Sequence, residues 1–161
     1  MPTTSYAIAI GSNRRGRHGA PERTVAAAIR AVGGVIAASR IIASAPVGPS
    51  VRRFANAVVL VETGESPPAL LGRLKRIEHA FGRRRGQRWG ARVIDLDIVL
   101  WSQGRWAEDD LTIPHPAFRT RRFVLDPLLT IAPDWRDPLT HLTIRHLAHR
   151  AQAVDRRALR P

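Results

Sequence analysis

Short apolar runs and helical apolar stripes follow one another along the chain, and their order predicts the fold. Apolar runs bounded by Gly, Pro and Asn predict strands, whereas apolar positions three and four residues apart predict helices. Pro21 and the Ser66-Pro67 pair mark helix starts. The predicted elements are strand 6–10 closed by a turn at 11–13, helix 21–32, strands 35–43 and 54–62, a helix from 66 that ends at Gly82, strand 93–101, a short helix 121–129 and a basic helix from Ile144.

The first six elements have the order β-α-β-β-α-β, which is typical of the ferredoxin-like α+β sandwich. At 161 residues the chain is long enough for one core, so we expect a single domain spanning residues 1–161. This order predicts a mostly antiparallel sheet with helices packed on one face and the other face left free for a ligand. Loops 45–53 and 82–92 both contain glycine, and we expect them to be mobile and to line the ligand cleft.

The composition indicates a basic globular protein without cysteine. The net charge is +13, and Lys75 is the one lysine among 26 basic residues. This arginine excess indicates either anionic partners or the codon usage of a GC-rich genome. The absence of cysteine excludes disulfides and thiolate metal sites, and is compatible with a reducing compartment. No apolar run reaches the roughly 20 residues of a membrane span and no signal-peptide pattern is seen, so we expect a cytoplasmic protein.

The segment 83–101 carries the strongest chemical signal. Five arginines fall within residues 83–92, and strand 93–101 follows with Asp95 and Asp97. Because strand side chains alternate between faces, these two carboxylates share a face about 6.6 Å apart, while Ile94, Leu96, Ile98 and Leu100 point to the core. Arginines suit phosphate oxygens and paired carboxylates suit Mg²⁺. The pattern predicts a metal-assisted phosphate site; the alternative is an outward polar face whose aspartates pair with the arginines.

Other candidate residues carry weaker signals. His115 lies between two prolines, which suits a fixed donor toward a phosphate or a solvent-exposed turn histidine. Asn56 and Phe123 offer an amide and a ring face for a planar heterocycle, or are ordinary strand and core residues. His146 and His149 share a helical face, but no further ligand completes a zinc set. The turn at 11–13 lacks a P-loop pattern and is interpreted as structural.

Nearly the whole chain resembles the 6-hydroxymethyl-7,8-dihydropterin pyrophosphokinase family of folate biosynthesis. The most specific motif is Arg-Trp-Gly-x-Arg-x-x-Asp-x-Asp at 88–97. Ala-Ile-Gly-Ser-Asn at 9–13, Phe-Ala-Asn-Ala at 54–57, Ile-Pro-His-Pro at 113–116 and Arg-Arg-Phe-Val-Leu at 121–125 with Pro-Leu at 127–128 complete the resemblance. It implies transfer of the β,γ-diphosphate of ATP to the pterin hydroxymethyl oxygen, with release of AMP and the help of two Mg²⁺ ions.

The resemblance also implies a role for particular side chains. Asp95 and Asp97 would hold the metal ions, and Asp97, Arg83 and Arg92 would be catalytic, with Asp97 assisting the metal-bound hydroxyl. The residues implied for ATP binding are Lys75, Glu78, Arg85, Arg88, Arg92, Ile98, Thr112, His115 and Arg121, together with Arg83. Those implied for pterin binding are Ser44, Pro46, Val47, Phe54, Asn56, Trp89, Asp95 and Phe123, with Trp89 on a closing loop. Ala91, Asp110 and Lys75 depart from the family pattern.

Two other functions are compatible with parts of the sequence. A basic ferredoxin-like module that binds RNA would need aromatic residues on its open sheet face, and the central strands offer Asp95 and Asp97 instead. A diverged relative would keep the nucleotide site and use another acceptor. The expected partners are therefore ATP and a small pterin, without nucleic acid or membrane. We expect a monomer, because no apolar stripe is left over after the core is assigned.

Overall fold

A five-stranded antiparallel sheet organises the chain. The computed structural model describes residues 2–44, 53–82 and 93–160. Its elements, in chain order, are β1 (Thr4–Ser12), α1 (Pro21–Val32), β2 (Val35–Ala38), β3 (Ile42–Ser44), β4 (Phe54–Thr63), α2 (Pro67–Ala80), β5 (Asp95–Trp101), β6 (Trp106–Glu108), β7 (Leu111–Ile113), a 3₁₀ turn (Phe118–Thr120), α3 (Arg122–Ile131) and α4 (Ile144–Ala158). No helix in these ranges is long and apolar enough to cross a membrane.

The strand order confirms the ferredoxin-like arrangement. The strands lie in the order β2-β4-β1-β5, and every pair is antiparallel. β3 lies on the same side of β4 as β2 and pairs with the first residues of β4, whereas β2 pairs with later ones. The central strand β1 therefore lies between β4 and β5 along most of its length. A separate hairpin, β6–β7, follows β5. This topology places the end of β1 beside the start of both neighbouring strands.

Apolar side chains form a core on each face of the sheet. One core joins α1 and α2 to the sheet through residues such as Ile8, Val25 and Leu70. The second core joins α3 and α4 to the opposite face through residues such as Val58, Leu125 and Leu147. The expectation of a free second face is therefore wrong, because apolar positions on both faces of β1, β4 and β5 demand cover. Among the residues that the structure describes, a cavity lies on that face at the start of α3.

Local sequence signals fix the helix ends. Proline opens α1 and α2 at a position where a missing N–H costs nothing. The Ser66 hydroxyl accepts from the Ala69 amide at the start of α2, and the Thr143 hydroxyl accepts from the His146 amide at the start of α4. Gly82 follows α2 with a φ of 101°, a conformation that costs glycine little. These signals explain why α1, α2 and α4 match their predicted starts closely.

The strands differ from the prediction in three ways. The predicted strand 35–43 is split into β2 and β3, because the buried Ser39 hydroxyl accepts from the Val58 amide and takes the place of a backbone partner. The register of β5 against β1 shifts next to Ala7. This bulge turns Leu100 to the α3 face together with Val99, so the prediction that Leu100 shares the core of Leu96 is wrong. The hairpin β6–β7 was not predicted.

A buried ion pair connects the segment after α3 to the segment before it. The carboxylate of Asp137 is 0% exposed and accepts from Arg119 Nε (2.5 Å) and Nη2 (2.7 Å), from the Leu139 amide (3.0 Å) and from the Thr140 hydroxyl (2.8 Å). Burial alone would raise the pKa of Asp137, but these hydrogen bonds outweigh it and bring the pKa to about 2. The Arg119 guanidinium also lies 4.8 Å from the Phe118 ring centroid.

Replacement of Asp137 by Asn should lower the free energy of unfolding by about 2 kcal/mol at pH 7. The folded-state pKa is depressed, so this stabilisation is complete above the unfolded pKa near 4 and is lost as the pH falls toward about 2. Urea unfolding of the wild type and of Asp137→Asn between pH 7 and pH 2 measures the difference. The matched control is Asp134→Asn, which removes an exposed pair with Arg145 and should barely change stability. A difference that persists unchanged at pH 2 would contradict the assignment.

Candidate functional site

The sheet face packed against α3 carries a row of residues from three neighbouring strands at its open end. Asp95 on β5 lies opposite Gly11 on β1, which in turn lies opposite Asn56 on β4. Asp97 lies opposite Ala9 in the next row of the same face. Because alternate residues share a face, two carboxylates and one amide stand together, separated by the two small residues of β1. We call the surface formed by these five residues the trough.

Gly11 packs closely against Asn56, so that a side chain at position 11 would require the Asn56 side chain to shift. A Cβ atom there would lie 3.0 Å from Asn56 Oδ1, which is tighter than nearly all real Cβ contacts. The interpretation of 11–13 as a structural turn is therefore wrong: Gly11 and Ser12 end β1, and Gly11 and Asn13 line a cavity. Sequence reasoning missed their place in the site. The available signal was the Ala-Ile-Gly-Ser-Asn motif at 9–13.

A cavity of about 380 Å³ lies over the trough and is bounded on one side by the start of α3. Phe123 projects there with 51% of its surface exposed, and the Arg121 guanidinium lies 5.6 Å from its ring centroid. The volume is in the usual range for small-molecule sites. A second cavity of about 290 Å³ shares Asn56 and Phe123 with the first. The lining residues of the first cavity are Ala9, Ile10, Gly11, Asn13, Asn56, Ala57, Asp95, Asp97, Arg121, Phe123 and Val124.

His115 stands beside the carboxylates in a fixed orientation. Its backbone N–H donates to the Val99 carbonyl (3.0 Å), which joins it to β5, and its Nδ1 accepts from the Ala117 amide (3.1 Å). In the neutral ring the proton therefore lies on Nε2, which is left as a donor. Burial lowers the pKa of His115; the negative charges of Asp97 and Asp95 oppose this shift and the positive charge of Arg121 adds to it. The residue is thus a positioned neutral donor near neutral pH.

The two aspartates fit a magnesium ion better than a metal with a full protein ligand set. Both are half-buried, line the cavity and supply hard oxygen ligands. Among the described residues, no group of three or more His, Cys, Asp or Glu side chains is placed to hold a metal. Mg²⁺ commonly takes one or two carboxylates and completes its octahedron with water and phosphate oxygens. The trough therefore suits Mg²⁺ carried with a phosphate ligand.

Five of the described residues implied for ATP binding lie outside the cavity lining, and His115, described above, is one of them. Lys75 on α2 and Thr112 on β7 are exposed. The Ile98 side chain is 3% exposed in the core shared with α1 and α2, so a ligand contact at this position would use its backbone. Glu78 is 5% exposed, and its Oε1 accepts from the Leu96 amide (2.8 Å). Ile98 is buried because its side chain points from β5 into this core, and Glu78 is buried where α2 packs against β5.

The residues implied for pterin binding are brought together only in part. Phe54 and Asn56 are two positions apart on β4 and share a face, and Phe54 is largely exposed. The Ser44 backbone pairs with Phe54 at the end of β3. Phe123 approaches Asn56 from α3. The other implied residues lie outside the described ranges: Pro46, Val47, Arg83, Arg85, Arg88, Trp89 and Arg92.

Comparison with known proteins assigns most of the chain to one family. Residues 7–133 match the family model described as 7,8-dihydro-6-hydroxymethylpterin-pyrophosphokinase (HPPK). A 2-amino-4-hydroxy-6-hydroxymethyldihydropteridine pyrophosphokinase of Haemophilus influenzae is 39% identical over 137 residues, which cover 81% of this chain and 82% of the relative. The enzyme of the same name from Synechocystis is 44% identical over 100 residues, covering 62% of this chain and 51% of the relative.

Solved structures support the fold. The wild-type HPPK-DHPS of Plasmodium falciparum with STZ-DHP superposes with a TM-score of 0.76 at 15% identity, covering 98% of this chain and 45% of that one. An HPPK-DHPS in complex with substrates gives a TM-score of 0.74 at 14% identity, covering 97% and 46%. The chain thus spans about half the length of the Synechocystis relative and of these structures. At this identity the structural likeness concerns the fold.

The pKa of His115 should lie below its ordinary value and fall further when Asp97 is replaced by Asn. Removal of the Asp97 charge takes away the largest influence that opposes the effect of burial. NMR titration of the His115 Cε1–Hε1 resonance in metal-free protein measures the shift, with Asp134→Asn as a charge-matched control far from the cavity. A midpoint that rises in Asp97→Asn would contradict the arrangement of His115 and the carboxylates.

Proposed function

Because the chain belongs to the 7,8-dihydro-6-hydroxymethylpterin-pyrophosphokinase family, we propose that it transfers the pyrophosphoryl group of ATP to 6-hydroxymethyl-7,8-dihydropterin. The products would be AMP and the pterin diphosphate, an intermediate of folate biosynthesis. The observation that carries this proposal is the cavity over the trough, which joins the paired carboxylates and the amide of the trough to the exposed ring of Phe123. The side of the cavity with Asp95 and Asp97 suits metal-bound phosphate, and the side with Asn56 and Phe123 suits a flat, hydrogen-bonding ring.

The pterin would bind at the Asn56 side of the trough. An amide supplies both a donor and an acceptor, which matches the mixed hydrogen-bonding edge of a pterin. Phe123 and Phe54 are aromatic side chains that remain 51% and 41% exposed, and exposed aromatic rings are suited to stacking on a planar ligand. Ser44, Pro46, Val47 and Trp89 would complete this side.

The phosphates of ATP would bind at the side of Arg121 and His115. Arg121 supplies a guanidinium at the cavity wall, and His115 supplies an oriented Nε2 donor. The implied contacts from Arg83, Arg85, Arg88 and Arg92 would add further positive charge. Phosphoryl-type transfer asks a protein mainly for positioning and charge neutralisation, and these cationic groups supply both.

Asp95 and Asp97 would hold two Mg²⁺ ions together with the phosphates. When bound, the metal neutralises phosphate charge and lowers the pKa of the attacking hydroxyl. Asp97 would also accept the hydroxyl proton, directly or through water. The new bond joins the pterin oxygen to the β-phosphorus, and the bond between that phosphorus and the α,β-bridging oxygen breaks, so that this oxygen leaves with AMP.

Three further expectations belong to the proposal. The chain would form a single domain over residues 1–161, act as a monomer and work in the cytoplasm. The exposed large apolar side chains outside the cavity include Ile36 on β2, Leu139 in the segment between α3 and α4, and Val154 on α4; their separation along the chain supports a monomer. Sedimentation velocity of the purified chain tests this expectation.

AMP release from Mg-ATP should depend on 6-hydroxymethyl-7,8-dihydropterin and should fall by more than about a hundredfold in an Asp95→Ala/Asp97→Ala double variant. The physical reason is the loss of both carboxylate ligands for the metal. Quantifying AMP by chromatography, with and without the pterin, measures the reaction.

The matched control is an Asp109→Ala/Asp134→Ala double variant, which removes two exposed aspartates outside the cavity lining. It should keep wild-type activity. If folded wild type releases AMP at the same rate without the pterin, the acceptor assignment is wrong. If the Asp95→Ala/Asp97→Ala variant remains active, the metal site is wrong.

Replacement of Phe123 by Ala should raise the KM for the pterin by about tenfold, because a stacking face is lost. The KM for ATP and the thermal stability should stay close to wild type, since half of this side chain is exposed. Steady-state kinetics with each substrate varied in turn, together with thermal unfolding, separates these effects. An equal rise in both KM values would place Phe123 outside the pterin side of the cavity.

A further inference from the structure

A buried carboxylate reaches the backbone between the two aspartates of the trough. Glu78 lies in the last turns of α2 and is 5% exposed, and its Oε1 accepts from the Leu96 amide at 2.8 Å. Leu96 separates Asp95 from Asp97, and its own side chain is in the core shared with α1 and α2. The resemblance implied contact with ATP for Glu78. Its position beneath the strand indicates a different task.

The hydrogen bond lies at a point where β5 has no neighbouring strand. In the described part of the sheet, β5 is the terminal strand and pairs only with β1. An edge strand presents backbone N–H groups that a further strand would otherwise satisfy. Glu78 supplies an acceptor for one of these groups at Leu96. The His115 amide makes a second edge contact with the Val99 carbonyl, so Asp97 lies between two anchored points of the strand.

Burying a carboxylate is costly, and a neutral acceptor could make the same bond. A charged acceptor makes a stronger hydrogen bond than a neutral one, and therefore restricts the backbone more tightly. Small displacements of metal ligands are expensive, since groups that orient ligands commonly change metal affinity or activity by about 10–100-fold when they are removed. A change at Glu78 would therefore affect metal binding by displacing Asp95 and Asp97, the two proposed ligands that flank Leu96.

We propose that Glu78 is a positioning residue for the metal-binding aspartates: its buried carboxylate fixes the Leu96 backbone and thereby holds Asp95 and Asp97 in register for Mg²⁺. This inference rests on the proposed metal site. It assigns Glu78 no direct contact with the nucleotide. It also predicts that the metal dependence of the enzyme is sensitive to a residue on the opposite side of β5 from the cavity.

The test measures Mg²⁺-dependent binding of a non-hydrolysable ATP analogue by calorimetry in Glu78→Leu and Glu78→Gln. Leucine removes the acceptor at similar volume, whereas glutamine keeps an oxygen in place. Glu78→Leu should raise the Mg²⁺ concentration for half-maximal binding by about tenfold. Glu78→Gln should restore most of the wild-type value. Affinity for the analogue without metal should not change in either variant.

Two additional measurements separate positioning from general destabilisation. Leu74→Ala removes a fully buried side chain one helical turn before Glu78 and serves as the matched control. It should lower stability without changing the Mg²⁺ requirement. Amide hydrogen exchange at Leu96, measured relative to that of core amides in β1, should accelerate in Glu78→Leu and should not accelerate in Glu78→Gln or Leu74→Ala.

The outcomes distinguish this inference from the proposed function. If the Asp95→Ala/Asp97→Ala variant retains the wild-type Mg²⁺ requirement, the metal site itself is wrong. If that variant loses Mg²⁺-dependent binding while Glu78→Leu keeps the wild-type requirement, the positioning role is overturned. A loss of metal-free nucleotide affinity in Glu78→Gln would instead establish direct contact, and an equal shift in Leu74→Ala would reduce the effect to stability. Either result overturns the inference.

Discussion

The antiparallel register of β1 with both β4 and β5 is the constraint on which the site depends. It sets Gly11 between Asp95 and Asn56, and Ala9 beside Asp97. A shift of one residue in either pairing would turn the carboxylates or the amide to the opposite face. The register is held by the apolar positions that alternate with the site residues and fill the core beneath α1 and α2. The alternation of side chains that builds the core therefore also places the polar residues of the site together on the other face of the sheet.

The second helical layer gives the site its boundary. α3 and α4 cover most of the sheet face that carries the trough, and their apolar side chains exclude water from Val58 and Val99. The cover ends where α3 begins, so Arg121 and Phe123 stand at the margin between buried sheet and open cavity. An aromatic ring left half exposed at such a margin is unusual for a core residue and is useful to a ligand-binding one.

The sequence predicted the helices and strands, and the shared face of the two aspartates, better than it predicted the shape of the site. Alternation along 95–97 placed both carboxylates on one face, and helix-start signals located α1, α2 and α4. The split of the predicted strand at Ser39 and the bulge of β5 near Val99 depend on partners distant in sequence, so local sequence patterns could not predict them. The cover over the second face was missed because α3 and α4 follow the ferredoxin-like core elements. The resemblance implied that Glu78 binds ATP, whereas its burial and its hydrogen bond to the Leu96 amide become visible only when α2 is packed against β5.

The ion pair of Arg119 and Asp137 extends beyond the region that matches the family model. The family match stops at residue 133, yet Asp137 lies beyond it, and so does α4, whose apolar face packs in the second core. A fragment cut at the limit of the match would leave α3 without its partner helix and the Arg119 guanidinium without its carboxylate. The newly exposed apolar surface would favour aggregation. For this chain the region that matches the family model and the packed second core have different borders, and an expression boundary should follow the core.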